Sequence, residues 1–307
     1  MSVSGPYFEH ALLLSGQNGL YRVETREGLL LCRSASGIRK SGYKLLAGDR
    51  VTVEDNGDGT GFIRTLEERA NSLVRPPVAN IGLLVLVVAA TDPKPVPFLL
   101  DQLTVIAEKQ RIPLAIAITK CELGVHGEPE ELEEIYRKTP YPVFRISHRG
   151  KTGSSSLFAY MKGKTSVFCG ASGVGKSTLL NCISPELQAE TGALSEKIRR
   201  GKNTTRVTTL HRIGEDTYIA DTPGFSMLEL ERYHRLELEE LSSLFPEMRP
   251  LLGSCRYSHC THLCEEGCRI VSAVEDGVLS RERHESYCKL YRELKALPPQ
   301  KRFSVKE

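Results

Sequence analysis

Between residues 10 and 63 the apolar positions fall in short runs separated by turns. His10-Ala11-Leu12-Leu13-Leu14 leads into Ser15-Gly16-Gln17-Asn18-Gly19, and Leu20-Tyr21-Arg22-Val23 alternates in character. Leu29-Leu30-Leu31-Cys32, Val51-Thr52-Val53 and Gly61-Phe62-Ile63 repeat the pattern, the last two around Asp55-Asn56-Gly57-Asp58-Gly59. Five short strands in so small a span predict an antiparallel barrel, with an OB-fold as its natural form. Residues 69–77 then break the pattern. Pro76-Pro77 fixes an extended connector and denies a helix, which places a first domain at 1–69 and a second at 78–231.

The second segment has a different rhythm. Val78 to Ala90 predicts its first buried strand, contiguous in apolar character as expected when helices cover both faces. Leu99, Leu100, Leu103, Ile106 and Ala107 predict a helix over 98–109, after Pro95 and Pro97 block an earlier start. An acidic helix with Leu132, Ile135 and Tyr136 on its inner stripe follows over 127–138. Buried strands are predicted at Leu114–Ile118, Val143–Ile146 and Ser166–Cys169, with a helix at 156–162 before the last. This is the alternation of a doubly wound α/β domain. In a third segment, 232–307, Leu236, Leu238, Leu241, Leu244 and Phe245 predict a short amphipathic helix. Ile270 to Val274 predicts a second, and Tyr287, Leu290, Tyr291 and Leu294 a third that ends at Pro298-Pro299.

Ser166-Val167-Phe168-Cys169 feeds Gly170-Ala171-Ser172-Gly173-Val174-Gly175-Lys176-Ser177, which opens into Thr178-Leu179-Leu180-Asn181. Strand, glycine-rich loop and helix in that order make the phosphate-cradling loop of a nucleoside-triphosphate site. The glycines allow the tight turn, backbone amides point at the phosphates, Lys176 reaches the β- and γ-phosphates, and Ser177 offers a hydroxyl to Mg2+. A second element supports this reading. Tyr218-Ile219-Ala220 delivers Asp221-Thr222-Pro223-Gly224, where a second Mg2+ contact and a γ-phosphate-sensing glycine are expected.

A base-reading box normally follows such a turn, and nothing after residue 224 resembles one. Upstream, the strand Leu114–Ile118 ends in Thr119-Lys120-Cys121-Glu122, and Val143–Ile146 ends in Ser147, as a loop backing a guanine would. The order is box, backing loop, phosphate loop, switch, Asp-x-x-Gly turn, which is that of a circularly permuted GTPase. Joining the termini of a doubly wound domain leaves its sheet unchanged.

These motifs resemble the bacterial small-subunit-dependent, circularly permuted GTPases of the RsgA family, and the resemblance spans almost the whole chain. It implies an N-terminal OB barrel that touches ribosomal RNA, where the residues alone leave open a barrel that merely abuts the GTPase. It also implies a C-terminal zinc module, GTP/GDP with Mg2+ as ligands, and the small ribosomal subunit as partner. The family pattern favours Thr204-Thr205 in the first switch as the source of a further Mg2+ ligand, with Thr205 preferred. This sequence departs from the family at Glu122, where aspartate is usual, at Thr119, where asparagine is usual, and at Asn203, where histidine is usual. Phe225 stands where many GTPases carry a water-orienting glutamine, so slow intrinsic hydrolysis is expected. Lys176, Thr205, Asp221 and Gly224 are the candidate catalytic residues.

In the third segment Cys255-x4-Cys260-x-His262-x5-Cys268 suits a tetrahedral zinc site with no open position, hence a structural one. Cys264 and His259 lie within the same stretch and stand as alternative ligands by spacing, although the family pattern leaves both unused. A module this small is expected to have little core of its own. The remaining cysteines, Cys32, Cys121, Cys169, Cys182 and Cys288, are scattered and read mostly as buried thiols.

Composition changes the picture little. The 307 residues carry a formal net charge of +3, and hydrophobic residues make up 40%. Basic residues do cluster, at Lys197, Arg199, Arg200, Lys202 and Arg206 and again from Lys289 to Lys306, which suits nucleic-acid contact as well as a solvated face. The strongest apolar run, Ile81 to Ala90, is too short to span a membrane, and no basic leader precedes it. A cytoplasmic, monomeric protein with no membrane partner is expected. Two other function classes stay open on the residues alone, a P-loop phosphotransferase and a nucleotide-binding scaffold without turnover.

Overall fold

The structure is a computed structural model that describes residues 5–40, 43–74, 76–124, 127–147, 149, 152–185, 207–221 and 236–296, without the side chains of 39, 40 and 221. In chain order the first elements are β1 (Tyr7–Gln17), β2 (Leu20–Thr25), β3 (Gly28–Ser34), α1 (Ser36–Lys40), β4 (Arg50–Asp55) and β5 (Thr60–Leu66). The five strands close into a barrel in the order β1-β2-β3-β5-β4, the OB topology. β1 closes it by pairing with β4 along its first half and β2 along its second, with register shifts at Phe8/Ala11 and Leu13/Ser15 that bend the strand. Alternation decides the inside. Leu30, Cys32 and Ser34 of β3 point inward while Leu29, Leu31 and Arg33 face solvent, and Phe8, Leu13, Val23, Val51, Val53 and Ile63 complete the core.

The connector differs from the extended segment predicted. β6 (Ser72–Leu73) pairs antiparallel with β7 (Val78–Ala79) in a small ladder. Side-chain amides hold it, since Asn71 bonds both the amide and the carbonyl of Ile81, and Asn80 Nδ2 donates to Gly48 O. The predicted strand from Val78 is therefore two elements, with β8 (Leu83–Ala89) beginning after Gly82.

Next come α2 (Pro97–Lys109), β9 (Leu114–Thr119), α3 (Glu128–Arg137), β10 (Val143–Arg145), α4 (Ser154–Met161), β11 (Thr165–Cys169), α5 (Lys176–Ile183), β12 (Thr209–Gly214) and β13 (Thr217–Asp221). α2 begins at Pro97 itself, one residue before the predicted start, because the first helical turn has no use for the missing amide. The last described helices are α6 (Arg269–Glu275) and α7 (Arg281–Ala296). Where a short amphipathic helix is predicted near Leu241, a 3-10 turn at Leu241–Leu244 stands instead.

Two compact units result, residues 1–83 with 160–168 and 184–225, and residues 84–159 with 169–183 and 226–307. Each holds a group of three strands. In the first, β11 and β13 run parallel and β12 antiparallel to β13, in the order β11-β13-β12. In the second, β10-β9-β8 are all parallel, and β8 and β9 are buried along their whole length. The C-terminal segment in that unit has a substantial core, contrary to expectation. Leu241, Leu244, Phe245, Met248, Ile270, Tyr287 and Leu290 pack together with Val105 of α2. Among the described residues no helix is long and apolar enough to cross a membrane.

Candidate functional site

β11 is buried at Ser166–Cys169 and delivers the chain to Gly170, where a Cβ would stand 2.2 Å from the carbonyl oxygen of Val87. Only glycine fits there, so the loop lies directly on β8. Gly173 and Gly175 have φ of 80° and 92°, the left-handed conformation that side chains resist. Between them Val174 is buried and anchors the loop, while Ser172, Ser177 and Thr178 are exposed and Ala171 is half-buried. Lys176 begins α5, and its ammonium donates to the carbonyls of Gly170 at 2.7 Å and Ala171 at 2.8 Å, so the side chain folds back across the loop. Burial pushes that ammonium below the usual lysine value. Cys169, sealed beneath, is pushed by burial up to about 12 and stays a neutral thiol.

The Thr119-Lys120-Cys121-Glu122 segment lies against this loop. The Thr119 hydroxyl donates to the carbonyl of Val174, with the carbonyl of Val88 at 3.1 Å as its other neighbour. Lys120 has φ of 56° and donates from Nζ to the carbonyl of Asp92. The loop that supplies this carbonyl also places Pro93 Cδ 3.8 Å from a Cβ built at Gly173, so one loop borders both segments. Sequence reasoning gave Asp92 no part, and a backbone carbonyl leaves no residue signature. Ser147 follows β10, which pairs in parallel with β9, and the Cys121 amide donates to Ile146 O at 3.3 Å. Ser147 and Thr152 exchange amide bonds that close the backing loop.

Asp221 ends β13, its backbone paired with Thr209 of β12. Thr205 and Gly224, with Thr204, Asn203 and Phe225, lie outside the described residues.

Cys255, Cys260, His262 and Cys268 form one cluster, with all ligand atoms within 4.8 Å of one another. Cys255 Sγ is 3.6 Å and Cys268 Sγ 3.5 Å from His262 Nδ1, and the two sulfurs are 3.9 Å apart. A tetrahedral ion with sulfur bonds near 2.3 Å and a nitrogen bond near 2.0 Å requires about 3.8 Å between sulfurs and about 3.5 Å from sulfur to nitrogen. The donors fit. A disulfide does not, because its sulfurs must stand about 2.05 Å apart. Cys264 is exposed, and neither it nor His259 belongs to the cluster. Burial lowers His262 and so favours the neutral, ligating imidazole. His284 lies 2.7 Å from the His262 carbonyl through Nε2, and the Arg269 amide donates to Cys255 Sγ.

A phosphate loop on β8, braced by the Thr119–Glu122 segment that precedes it in sequence, together with a five-stranded barrel and a Cys3His cluster, defines a circularly permuted P-loop GTPase. Comparison with known proteins agrees. A profile of the RsgA GTPase family matches residues 66–231, and the chain belongs to that family. It is 37% identical over 294 residues to the small ribosomal subunit biogenesis GTPase RsgA of Bacillus velezensis, covering 94% of this chain and 98% of that one. The protein of the same name from Moorella thermoacetica is 40% identical over 275 residues, 90% and 93% of the two chains. Among solved structures, YjeQ from Thermotoga maritima superposes with a TM-score of 0.80 at 32% identity over 95% of this chain and all of that one. YloQ, described as a circularly permuted GTPase, gives 0.77 at 33% identity over 96% of each.

Proposed function

We propose that this protein hydrolyses GTP in the maturation of the small ribosomal subunit, engaging the subunit and its rRNA in the triphosphate state and leaving after hydrolysis. The observation that carries the reading is the bond from Thr119 to the carbonyl of Val174, which brings a base-reading segment to a phosphate loop that follows it by some fifty residues. Lys120 and Glu122 would then hold guanine with Ser147 behind it. The amides of Gly170 to Thr178 and the ammonium of Lys176 would hold the phosphates.

Ser177, Thr205 and Asp221 are the residues that would hold Mg2+, which when bound neutralises phosphate charge. Cys255, Cys260, His262 and Cys268 would hold one Zn2+, which ties the loop together and takes no part in turnover. Gly224 would sense the γ-phosphate. Phe225 can neither accept nor donate a hydrogen bond, and the amide of Asn203 can position water but cannot take its proton at neutral pH. Hydrolysis is therefore slow in the free protein, and the bound subunit completes the site. Measuring GTP turnover with and without purified small subunits tests this. Strong stimulation is expected; a free rate equal to the subunit-bound rate rejects it.

A further inference from the structure

Glu24 lies on β2 of the barrel, yet its carboxylate is held by the β12–β13 hairpin. The Tyr218 hydroxyl donates to one carboxylate oxygen, and Arg212 Nη1 stands 3.3 Å from the other. Arg212 and Tyr218 are direct cross-strand partners, so both grips come from one rung of the hairpin. The rung is rigid. Tyr218 is 4% exposed, and its amide donates to Lys164 O at 3.0 Å. Its neighbour Thr217 receives the Gly163 amide at 2.9 Å, and Arg212 Nε donates to Gly214 O. Burial and the neighbouring Glu24 push the Tyr218 phenol up to about 12, which keeps it a donor at every physiological pH.

Beside this contact lies an open cleft of about 570 Å3, walled by Phe8, His10, Arg26 and Arg50 of the barrel and by Arg212 and Asp216 of the hairpin. The barrel and hairpin thus share a polar contact with solvent space next to it, while β1 also runs against β12. From that rung β13 runs three residues to Asp221, which pairs with Thr209 at the start of β12, the strand entered from the first switch. Of the three candidate Mg2+-holding residues, Asp221 thus ends this hairpin and Thr205 precedes it by four residues in sequence.

We propose that Glu24 is a positioning residue for GTP hydrolysis: by clamping the Arg212–Tyr218 rung to the barrel it sets the placement of Asp221, and so transmits subunit engagement of the barrel to turnover. The inference rests on the ribosome-coupled reading above. Glu24 would act through Arg212 and Tyr218 rather than on the nucleotide. A charge-assisted bond to a buried phenol is strong and directional, whereas the exposed arm to Arg212 adds little.

The test measures subunit-stimulated and unstimulated kcat and the KM for GTP in Glu24→Ala, Glu24→Gln, Tyr218→Phe and the Glu24→Ala/Tyr218→Phe double variant, with amide exchange across residues 209–221. The expected result is a roughly tenfold fall in the ratio of stimulated to unstimulated kcat in Glu24→Ala, with KM changed less than about threefold. Glu24→Gln, which keeps an acceptor for the phenol, should recover most of the ratio. The double variant should fall no further than the worse single one, as two ends of one contact must. Faster exchange in the hairpin of Glu24→Ala reads the clamp without any subunit. An unchanged ratio in Glu24→Ala, or multiplicative losses in the double variant, overturns the proposal. If the wild-type protein is not stimulated but hairpin exchange still rises in Glu24→Ala, the ribosome reading fails while the contact stands; unchanged exchange removes the clamp itself.

Discussion

Arg283 of α7 donates from Nη1 to a carboxylate oxygen of Asp101 on α2 at 2.7 Å, and both side chains are closed off from water. The same guanidinium bonds Glu247 through Nε at 2.7 Å and the Thr104 hydroxyl at 2.9 Å, and it packs over the ring of Phe245. α7 is thereby fixed to α2, the helix that follows the loop at 90–96. The two acids outweigh the burial that works against the Arg283 charge, while burial pushes the Asp101 carboxyl up despite the guanidinium beside it.

Truncating Arg283 leaves two buried acids without a counter-charge, and breaking such a pair costs about 3–5 kcal/mol. Arg283→Ala should lower the denaturant midpoint accordingly. Arg283→Lys should fail to rescue it, because an ammonium cannot reproduce a planar fork that serves Asp101 and Glu247 at once. Equilibrium unfolding of the three proteins checks this.

Gly170→Ala should abolish tight nucleotide binding. The new Cβ would stand 2.2 Å from Val87 O, and neither the strand nor the loop can yield without moving the amides that cradle phosphate. A loss of at least tenfold in GTP affinity, about 1.4 kcal/mol, is expected by fluorescent-nucleotide titration. The fold should survive, because Val174 still anchors the loop.

The sequence reveals these features unevenly, for physical reasons. The barrel is legible because its strands bury alternate residues, and the phosphate loop because its glycines answer steric needs at Gly170, Gly173 and Gly175. The metal cluster is legible because few arrangements of cysteine and histidine give four donors at that spacing. Glu24, Asp101 and Glu247 are not legible, since an acid in a strand or helix reads as solvated until its partner is seen. Arg283 leaves a trace, as it continues the buried stripe of Tyr287, Leu290 and Leu294 one turn earlier. The size of the C-terminal core is hidden because part of it is Val105, far off in sequence.

Chelation should therefore act locally. Metal binding supplies on the order of 10 kcal/mol to small zinc modules that have no other core. Here the packing around Phe245, Tyr287 and Val105 and the Arg283 network hold the segment as well. Amide exchange should rise across 255–268 on chelation, rise less in α7, and leave GTP affinity within about threefold. Cys260→Ser should lose stoichiometric zinc by elemental analysis, whereas Cys264→Ser should keep it.

Glu265 gives that loop a pH dependence of known sign. Burial works against its charge, but bonds from the Thr261 hydroxyl and amide and from the Leu263 and Cys264 amides prevail, holding the carboxyl down to about 2. A carboxylate depressed in the fold adds stability above its unfolded pKa and loses it as pH falls toward the folded value. The stability gap between the wild-type protein and Glu265→Gln should be constant above about pH 5 and close as pH approaches about 2. A gap that widens on acidification would show that the bonds favour the protonated acid.

Glu122 bears on nucleotide choice. A guanine edge offers two hydrogens to one carboxylate, and the extra methylene of glutamate displaces that carboxylate by about 1 Å unless the backbone retreats, which a bidentate pair tolerates poorly. Lys120 and Cys121 give the backbone little freedom, for one is tied to Asp92 O and the other donates to Ile146 O. GTP should thus be preferred over ATP in competition, but by a modest factor. Glu122→Asp should tighten GTP by roughly tenfold, about 1.4 kcal/mol, with ATP unchanged. Equal displacement of bound GTP by GTP and ATP in the wild-type protein would mean that this segment does not read the base, and the permuted order of the site would have to be abandoned.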